Sequence, residues 1–192
     1  MAKGLGDPTA ERLGRLSFNP LRHIDPFGTL ILPVLLSISG FAPFGYAKPV
    51  PIDPAYFSDY RKGMFLTGLA GPASNVLTAA LAGGVFRLTG PILAGVGLGG
   101  LTLAYALALF VRISVLLAVF NMIPVPPLDG SRVLPLLLSA RGMHYYRQFE
   151  RYGILLVFLL LFIPAFRDVV FGVIFAVVDP VAAAFLGQSF LL

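Results

Sequence analysis

The sequence contains no cysteine, and only 12% of its 192 residues are charged. The absence of cysteine excludes a disulfide framework and a thiolate metal site. Soluble domains carry about 25% charged residues. This chain combines its low charge with 57% hydrophobic residues and a mean hydropathy of +0.87. The composition therefore excludes an ordinary soluble domain and indicates an integral, multi-pass membrane protein.

Long uncharged windows predict the membrane spans. A helix needs about 20 apolar residues to cross the hydrocarbon core, and residues 26–47, 63–86 and 88–111 each reach that length. The apolar character continues past residue 111, so the span that leads to the next motif should cover Leu101–Phe120. Residues 152–192 hold one or two further apolar segments. No internal repeat is visible, so we expect a single membrane-embedded domain over residues 1–192, all-α, with about four to six transmembrane helices.

Two short segments favour extended structure. Residues 15–18 alternate polar and apolar side chains, as a short strand does. Residues 46–52 include two prolines, which suit an edge strand or a polyproline conformation better than a helix. We therefore expect a small β element near the N-terminus and in the loop around residues 46–52.

The basic residues do not point to nucleic acid. The net charge is +5, but the cations are scattered between apolar runs instead of forming a stripe with interleaved aromatics. The positive-inside rule explains them more simply. Arg141, Arg147 and Arg151 surround one junction, and the residues before the first span are also basic, which suggests that both regions face the cytoplasm. The expected surroundings are the lipid bilayer of a prokaryotic cell membrane, and no nucleic acid.

A proline-rich run, NMIPVPPLDG at residues 121–130, follows a membrane-length apolar stretch and contains Asp129. An ionised aspartate near the bilayer centre costs roughly 2.5–3.5 kcal/mol on insertion scales, so such residues usually pair, bind a metal or carry protons. Pro124, Pro126 and Pro127 forbid a regular helix. The run is read either as a broken helix that lines a site or as an ordinary proline-rich turn at the membrane surface.

Arg112 falls inside a predicted span, and two interpretations remain open for it. The side chain can snorkel towards a headgroup, or it can pair with a carboxylate inside the helix bundle.

Several motifs in this order resemble the site-2 proteases, the intramembrane zinc metallopeptidases. NMIPVPPLDG is similar to the second metal motif of that family. GDPTAERLGRLSFNPLRHIDPFGT, AKPVPIDP and AGPASN, at residues 6–29, 47–54 and 70–75, are similar to segments of its short prokaryotic branch. The resemblance extends from about Gly4 to Tyr152.

The resemblance implies a role for individual residues. It makes Asp129 the carboxylate ligand of one catalytic Zn²⁺, and it makes Asn75 the residue that orients substrate or stabilises the oxyanion. Asn121, Pro124, Pro126 and Gly130 would form the motif and cavity backbone; these four positions complete the implied site. Both side-chain roles are chemically reasonable, because carboxylates ligate zinc and amides donate to oxyanions. The alternative for Asn75 is an interhelical hydrogen bond beside small residues.

The other zinc motif of the family, HExxH, is absent from these 192 residues. It supplies two ligands and the general base. The two histidines are His23, which we interpret as a structural hydrogen-bonding residue, and His144, which we interpret as solvated or interfacial. In relatives, HExxH stands shortly before GDPTA. We therefore expect that the chain is truncated at its N-terminus or is a remnant without chemistry, and we favour truncation because Asp129 and Asn75 persist.

The implied function is hydrolysis of peptide bonds in transmembrane protein substrates by a zinc metalloendopeptidase. One carboxylate cannot hold a catalytic zinc, which needs three protein ligands, so the chain alone should be inactive. A pseudoprotease or membrane binding module is the main alternative. A small transporter that uses Arg112 and Asp129 is a further alternative, although such proteins often contain repeats.

Overall fold

A computed structural model describes residues 1–17, 19–40, 45–48 and 50–187, except for the side chains of Ala140 and Leu160. The chain divides into two compact units, residues 1–63 and residues 64–192. The described residues are mainly helical, and three helices are long and apolar enough to span a membrane. The predicted all-α polytopic membrane fold is therefore confirmed.

The first unit contains short helices. The α-helices are α1 (Thr9–Arg12) and α2 (Leu32–Ile38), and a π-helical segment, Pro26–Ile31, runs directly into α2. Asp25 begins that segment, because its carboxylate accepts a hydrogen bond from Gly28 N at 2.7 Å. Short 3₁₀ turns occupy Ala2–Leu5, Pro20–Arg22 and Pro54–Tyr56. The predicted span over residues 26–47 thus appears as a shorter apolar helix, Pro26–Ile38.

The predicted β element is not found, since no strand is assigned to any described residue of the segments 15–18 and 46–52. Phe18 and Pro49 lie outside the described residues. Two backbone hydrogen bonds connect the second segment to the π-helical segment and to a turn instead of to a strand: Tyr46 N donates to Gly28 O at 3.0 Å, and Lys48 N donates to His23 O at 2.9 Å. Prolines in this segment lack the N–H donors that a regular ladder needs.

A buried arginine replaces the missing ladder. The guanidinium of Arg15 donates to the carbonyl oxygens of Arg22 and Lys48, the latter at 2.9 Å. Arg15 is only 9% exposed. One side chain therefore satisfies backbone acceptors that a partner strand would otherwise satisfy.

Asp7 is the other buried charged residue of this unit, at 1% exposure. Its carboxylate accepts hydrogen bonds from the backbone and hydroxyl of Thr9, and from Asp53 N at 3.0 Å. Burial raises the pKa of Asp7, but the hydrogen bonds from Thr9 and Asp53 and the charge of Arg12 outweigh that effect and leave the pKa below its ordinary value of 3.8. Asp7 thus joins the N-terminal turn to the loop at residue 53.

Longer helices dominate the second unit. They are α3 (Tyr60–Gly95, which begins in the first unit), α4 (Leu98–Asn121), α6 (Ala140–Glu150), α7 (Gly153–Phe162) and α8 (Pro164–Leu186). A short helix of four residues, α5 (Leu134–Leu137), precedes α6. Helices α3, α4 and α8 have membrane-spanning length. Helix α7 is strongly apolar but has only 10 residues, about 15 Å at 1.5 Å per residue, which is half of the hydrocarbon thickness.

The boundary between the first two long helices differs from the prediction. Arg87 was expected to separate two spans, but α3 continues through it to Gly95. The guanidinium of Arg87 donates to the carbonyl oxygen of Ala184 in α8, so the charged group has a partner without a break in the helix. The chain turns at Gly97 instead, where φ is 80° and ψ is −158°. That backbone region is essentially restricted to glycine.

Small residues allow α4 and α8 to pack closely. The buried positions of α4 include Ala104, Ala108 and Ala118, and those of α8 recur every four residues from Ile174 to Leu186. Close approach through small side chains is the usual way in which membrane helices associate. Phe86 of α3 joins this apolar cluster. The core of the second unit is therefore a contact of α4 with α8, extended by α3.

An ion pair also connects α4 to α8. Arg112 donates to Asp179 Oδ1 at 2.8 Å, and its guanidinium carbon lies 5.6 Å from the ring centroid of Phe175. Of the two interpretations of Arg112, the structure shows pairing with a carboxylate of the bundle.

Candidate metal centre

A break after α4 brings Asp129 into position. Helix α4 ends at Asn121, and a 3₁₀ helix, Asp129–Val133, begins only after a turn segment that contains Pro124 and Pro126. Three prolines in this segment lack N–H donors, so the helix of α4 cannot continue through it. Leu128 is extended, with φ of −67° and ψ of 151°, and it places Asp129 in the first turn of the 3₁₀ helix.

Two glycines let the proline-rich loop fold back on itself. A Cβ atom on Gly130 would overlap the carbonyl group of Met122, just after the end of α4. A Cβ atom on Gly153, at the start of α7, would lie 2.6 Å from the carbonyl carbon of Pro126. Real Cβ atoms essentially never approach that closely, so only glycine fits at either position. The loop is thereby packed between the end of α4 and the beginning of α7.

Asp129 lies directly against α3. A Cβ atom on Gly71 would overlap Oδ2 of Asp129, and a Cβ atom on Gly68 would lie 2.7 Å from the backbone oxygen of Asp129. Gly68 and Gly71 are three residues apart, so they occupy one face of the helix. Because neither glycine has a side chain, the Asp129 carboxylate can lie directly against the backbone of α3. The side chain of Asp129 is 28% exposed.

Asn75 continues the same face of α3. It follows Gly71 by four residues, which is about one helical turn, or 6 Å along the axis. Its side chain is half-buried. The helix therefore presents a gap filled by the Asp129 carboxylate and, one turn further, a side-chain amide that can donate hydrogen bonds.

Arg132 is the charged neighbour of Asp129. Its Nη1 lies 3.7 Å from Asp129 Oδ1, and both side chains are about three-quarters buried, at 27% and 28% exposure. At that distance the contact is an ion pair without a strong hydrogen bond. Sequence reasoning did not identify Arg132, although its position three residues after Asp129 in a helical turn is a spacing typical of such pairs.

The described residues do not complete a zinc site. Among them, no group of three His, Asp or Glu side chains is close enough to hold a metal ion. His23 contacts the carbonyl oxygen of Ser17 at 2.8 Å, and His144 contacts Gln148 Nε2 at 3.0 Å on the surface. His23 therefore has the polar contact expected of a structural residue, and His144 is exposed, as expected of a solvated or interfacial residue. Asp129 is one candidate ligand, whereas catalytic zinc needs three from protein.

A cavity of the second unit lies away from Asp129 and Asn75. It has a volume of about 480 Å³ and is lined by residues of α3 and of the end of α8, including Phe86, Arg87 and Leu186. Neither Asp129 nor Asn75 lines it. From the roles that the family resemblance implies for Asp129 and Asn75, we expect the two residues to face one shared cavity, and this stays a prediction.

Similarity to known proteins identifies the family. Residues 98–164, which comprise α4 to α7 and the first residue of α8, match peptidase family M50. "Putative zinc metalloprotease YwhC" of Bacillus subtilis is 34% identical over 168 residues, which are 85% of this chain and 71% of YwhC. The chain belongs to peptidase family M50.

A second similar protein is "Putative zinc metalloprotease Rip2" of Mycolicibacterium smegmatis. It is 29% identical over 170 residues, which are 88% of this chain and 62% of Rip2. No solved structure matches the chain. Membership of M50 confirms the resemblance to site-2 proteases and supports a zinc metalloprotease of that type. Together with the three membrane-length helices, it supports an integral multi-pass membrane protein whose homologues are bacterial.

Proposed function

We propose that this chain forms, as one functional domain over residues 1–192, the part of an intramembrane zinc metalloprotease that contributes the carboxylate ligand Asp129 and the substrate-binding amide Asn75. The observation that carries the proposal is the fit of the Asp129 carboxylate against Gly71, with Asn75 one turn away on the same face of α3. A zinc bound by Asp129 and the amide of Asn75 would both have to reach one scissile carbonyl, and the short distance along α3 between the two residues favours that arrangement.

The chain alone should not catalyse hydrolysis. A bound zinc would polarise the substrate carbonyl and activate water, but the described residues contribute only one candidate ligand. We propose that two further zinc ligands, the histidines of an HExxH motif, and the general base of that motif are supplied by a helix that is not part of these 192 residues. The substrates would be transmembrane protein segments that unwind locally, since a fully hydrogen-bonded helix hides its amides.

A pseudoprotease that captures transmembrane segments without cutting them is the second candidate. The lack of a three-ligand cluster among the described residues favours it. The transporter alternative is weaker than the sequence suggested. Arg112 is paired with Asp179, so these residues form an interhelical contact instead of a relay with Asp129.

The geometry can be tested without activity. Because the chain has no cysteine, Asn75→Cys combined with Asp129→Cys provides two unique thiols. We expect a short bifunctional thiosulfonate to crosslink them in the membrane. Leu77→Cys combined with Asp129→Cys is the matched control, because residue 77 is 61% exposed and points away from the Asn75 face at 100° per residue. Equal crosslinking of both pairs would contradict the shared face.

The chemistry is tested in a version extended with the HExxH helix of a site-2 protease. We expect stoichiometric zinc and cleavage of a reporter transmembrane substrate by this version, and neither by the unextended chain. Asp129→Ala should abolish both by removing a ligand. Asn75→Ala should keep zinc but slow cleavage by about 10²–10³, the typical cost of a lost oxyanion donor. Asp168→Ala, which removes an exposed carboxylate paired with Arg167, should change neither.

Zinc content by elemental analysis and substrate cleavage in detergent separate the two candidates. Undiminished cleavage by the Asp129→Ala variant would refute its assignment as a ligand. Full zinc occupancy without cleavage in the extended protein would favour the pseudoprotease.

A further inference from the structure

Helix α6 differs from every other long helix of the chain in being polar and amphipathic. It follows the Asp129 loop, begins at Ala140 after the N-cap Ser139, whose hydroxyl accepts from Gly142 N at 3.3 Å, and ends at Glu150. Apolar helices of the second unit precede and follow it in the chain, namely α4 and the pair α7 and α8. A polar helix between membrane segments belongs at the membrane surface or outside it.

One side of α6 packs against the protein. Tyr146 is 7% exposed, and its hydroxyl lies 3.4 Å from the hydroxyl of Ser131, two residues after Asp129. Tyr146 is the one buried side chain between Arg141 and Glu150. Helix α6 therefore contacts the segment around Asp129 through the side that carries Tyr146, and most of its remaining surface is exposed.

Exposed aromatic residues form one flank of that surface. Tyr145, Phe149 and Tyr152 are 69%, 50% and 62% exposed. Tyr145 and Phe149 are four residues apart on α6, which places them on one face, and Tyr152 follows in the turn after the helix. We define these three residues as the aromatic flank. Three large exposed rings are costly in water, and tyrosine is enriched at the level of lipid headgroups.

Exposed arginines lie on and directly after the same helix. They are Arg141 and Arg147 on α6 and Arg151 after its last residue. At 100° per residue, Arg147 lies opposite Tyr145, whereas Arg141, four residues before Tyr145, borders the aromatic flank. Within the part of the chain that the structure describes, no carboxylate forms an ion pair with these three arginines.

We propose that α6 is an interfacial helix that binds anionic phospholipids, with the aromatic flank in the boundary between headgroups and acyl chains and the three arginines on lipid phosphates. Arginines on the polar side of a helix, combined with exposed aromatic residues on another side, are typical of helices that lie in the membrane plane. Charge complementarity and the position of α6 between apolar membrane helices favour a lipid surface over a protein partner. Through Tyr146 and Ser131, bound lipid would also fix the loop that contains Asp129. The proposal does not depend on the metal site.

The chain contains no tryptophan, so one introduced indole reports a single position. Phe149→Trp places it on the aromatic flank, and Gln148→Trp places it on the adjacent polar side as a matched control. We expect phospholipids brominated on the acyl chains to quench the Phe149→Trp variant and aqueous acrylamide to quench the Gln148→Trp variant. Both are measured with the 192-residue chain in nanodiscs, after circular dichroism has shown unchanged helicity.

The lipid charge is tested with brominated phosphatidylglycerol diluted into unbrominated phosphatidylcholine, and with the reverse mixture. Quenching of the Phe149→Trp variant should be stronger when the anionic lipid carries bromine. Each basic residue near an anionic surface contributes a factor of about five in lipid occupancy. Changing Arg141, Arg147 and Arg151 to Gln should abolish the preference, and changing them to Lys should retain it. Changing Lys3, Lys62 and Arg167 to Gln removes the same charge elsewhere and should retain it as well.

Three results would overturn the proposal. Acrylamide quenching of both indoles would show that the aromatic flank faces water. Protection of the Phe149→Trp indole from lipid and from acrylamide would show burial against protein, such as a second copy of the chain. Equal quenching by the two brominated lipids would exclude selection of anionic headgroups. A Tyr145→Trp variant on the same flank repeats the measurement if Phe149→Trp does not fold.

Discussion

A single methyl group at Gly71 should displace Asp129. In the structure, a Cβ atom at this position would overlap Asp129 Oδ2, and the neighbouring loop is itself confined between α4 and α7 by Gly130 and Gly153. The carboxylate therefore cannot retreat without moving the 3₁₀ helix that begins with it. Gly71→Ala is the smallest change that tests whether α3 and the Asp129 loop are packed as described.

The magnitude follows from two opposing effects. Replacing glycine by alanine inside a helix stabilises it by about 0.5–1 kcal/mol. Inserting an extra carbon into a filled space costs about 1–3 kcal/mol. Gly84 lies on the same helix, and a Cβ atom there would have no neighbouring atom within 4 Å, so Gly84→Ala should show only the gain. The gain is common to both variants, so they should differ in free energy of unfolding by the overpacking cost alone, about 1–3 kcal/mol, with Gly71→Ala the less stable.

The assay is unfolding by sodium dodecyl sulfate in mixed micelles, followed by far-ultraviolet circular dichroism. In the version extended with an HExxH helix, zinc affinity is a second readout, and it should fall for Gly71→Ala because the ligand moves. Gly84→Ala should leave the zinc affinity unchanged. Equal stabilisation by both substitutions, with zinc affinity intact, would show that Asp129 does not pack on this face of α3 and would refute the site geometry.

Two further predictions concern charged groups. Asp7→Asn should destabilise the first unit by about 1–3 kcal/mol, since hydrogen bonds to a buried charge are lost. Protease-sensitivity measurements should detect this loss of stability. Glu11→Gln, which changes an exposed residue paired with Lys3, is the control and should have little effect. Because the pKa of Asp7 is lower in the folded protein than its ordinary value of 3.8, its contribution should be complete only well above that value and should disappear as the pH falls through the lowered pKa. A contribution that grew in acid would contradict this sign. For Arg112 and Asp179, we expect a double-mutant cycle with alanine, measured as free energy of unfolding in membrane mimetics, to give a favourable coupling energy of about 0.6–1.7 kcal/mol, as for other interhelical polar contacts. A coupling energy of zero would mean that each charged side chain finds another partner.

The sequence predicted the helical membrane fold because hydropathy alone determines it. Two predictions made from the sequence were wrong, and in each case a side chain from elsewhere in the chain, or a carbonyl group on another helix, determined the local structure. Arg87 was expected to end a span, but its charge is satisfied by a carbonyl of α8, which no local pattern reveals. The segment at residues 46–52 was expected to pair as a strand, but prolines remove its donors and the side chain of Arg15 binds the carbonyl of Lys48 instead. Both errors depend on contacts between residues more than thirty positions apart.

The candidate site could be predicted only in part for a similar reason. Asp129 was identified from its unusual position after an apolar stretch, and Asn75 from the family resemblance. Neither pattern predicted the ion pair of Asp129 with Arg132, because an arginine three residues after a carboxylate is common on any helix. The glycines at positions 68 and 71 were recognised as small residues that favour close packing. Their contact with a carboxylate became visible only in three dimensions.

The packing around Asp129 bears on how a metal ligand could be held by so irregular a segment. A proline-rich loop supplies few backbone hydrogen bonds of its own, so its conformation must be fixed from outside. Glycine contacts fix it at three points: Gly71 of α3 at the carboxylate, Gly130 against the end of α4, and Gly153 of α7 against Pro126. Each contact tolerates no added carbon. As the metal ligand that we propose, Asp129 would lose little conformational freedom when a metal binds, and preorganisation of that kind favours binding.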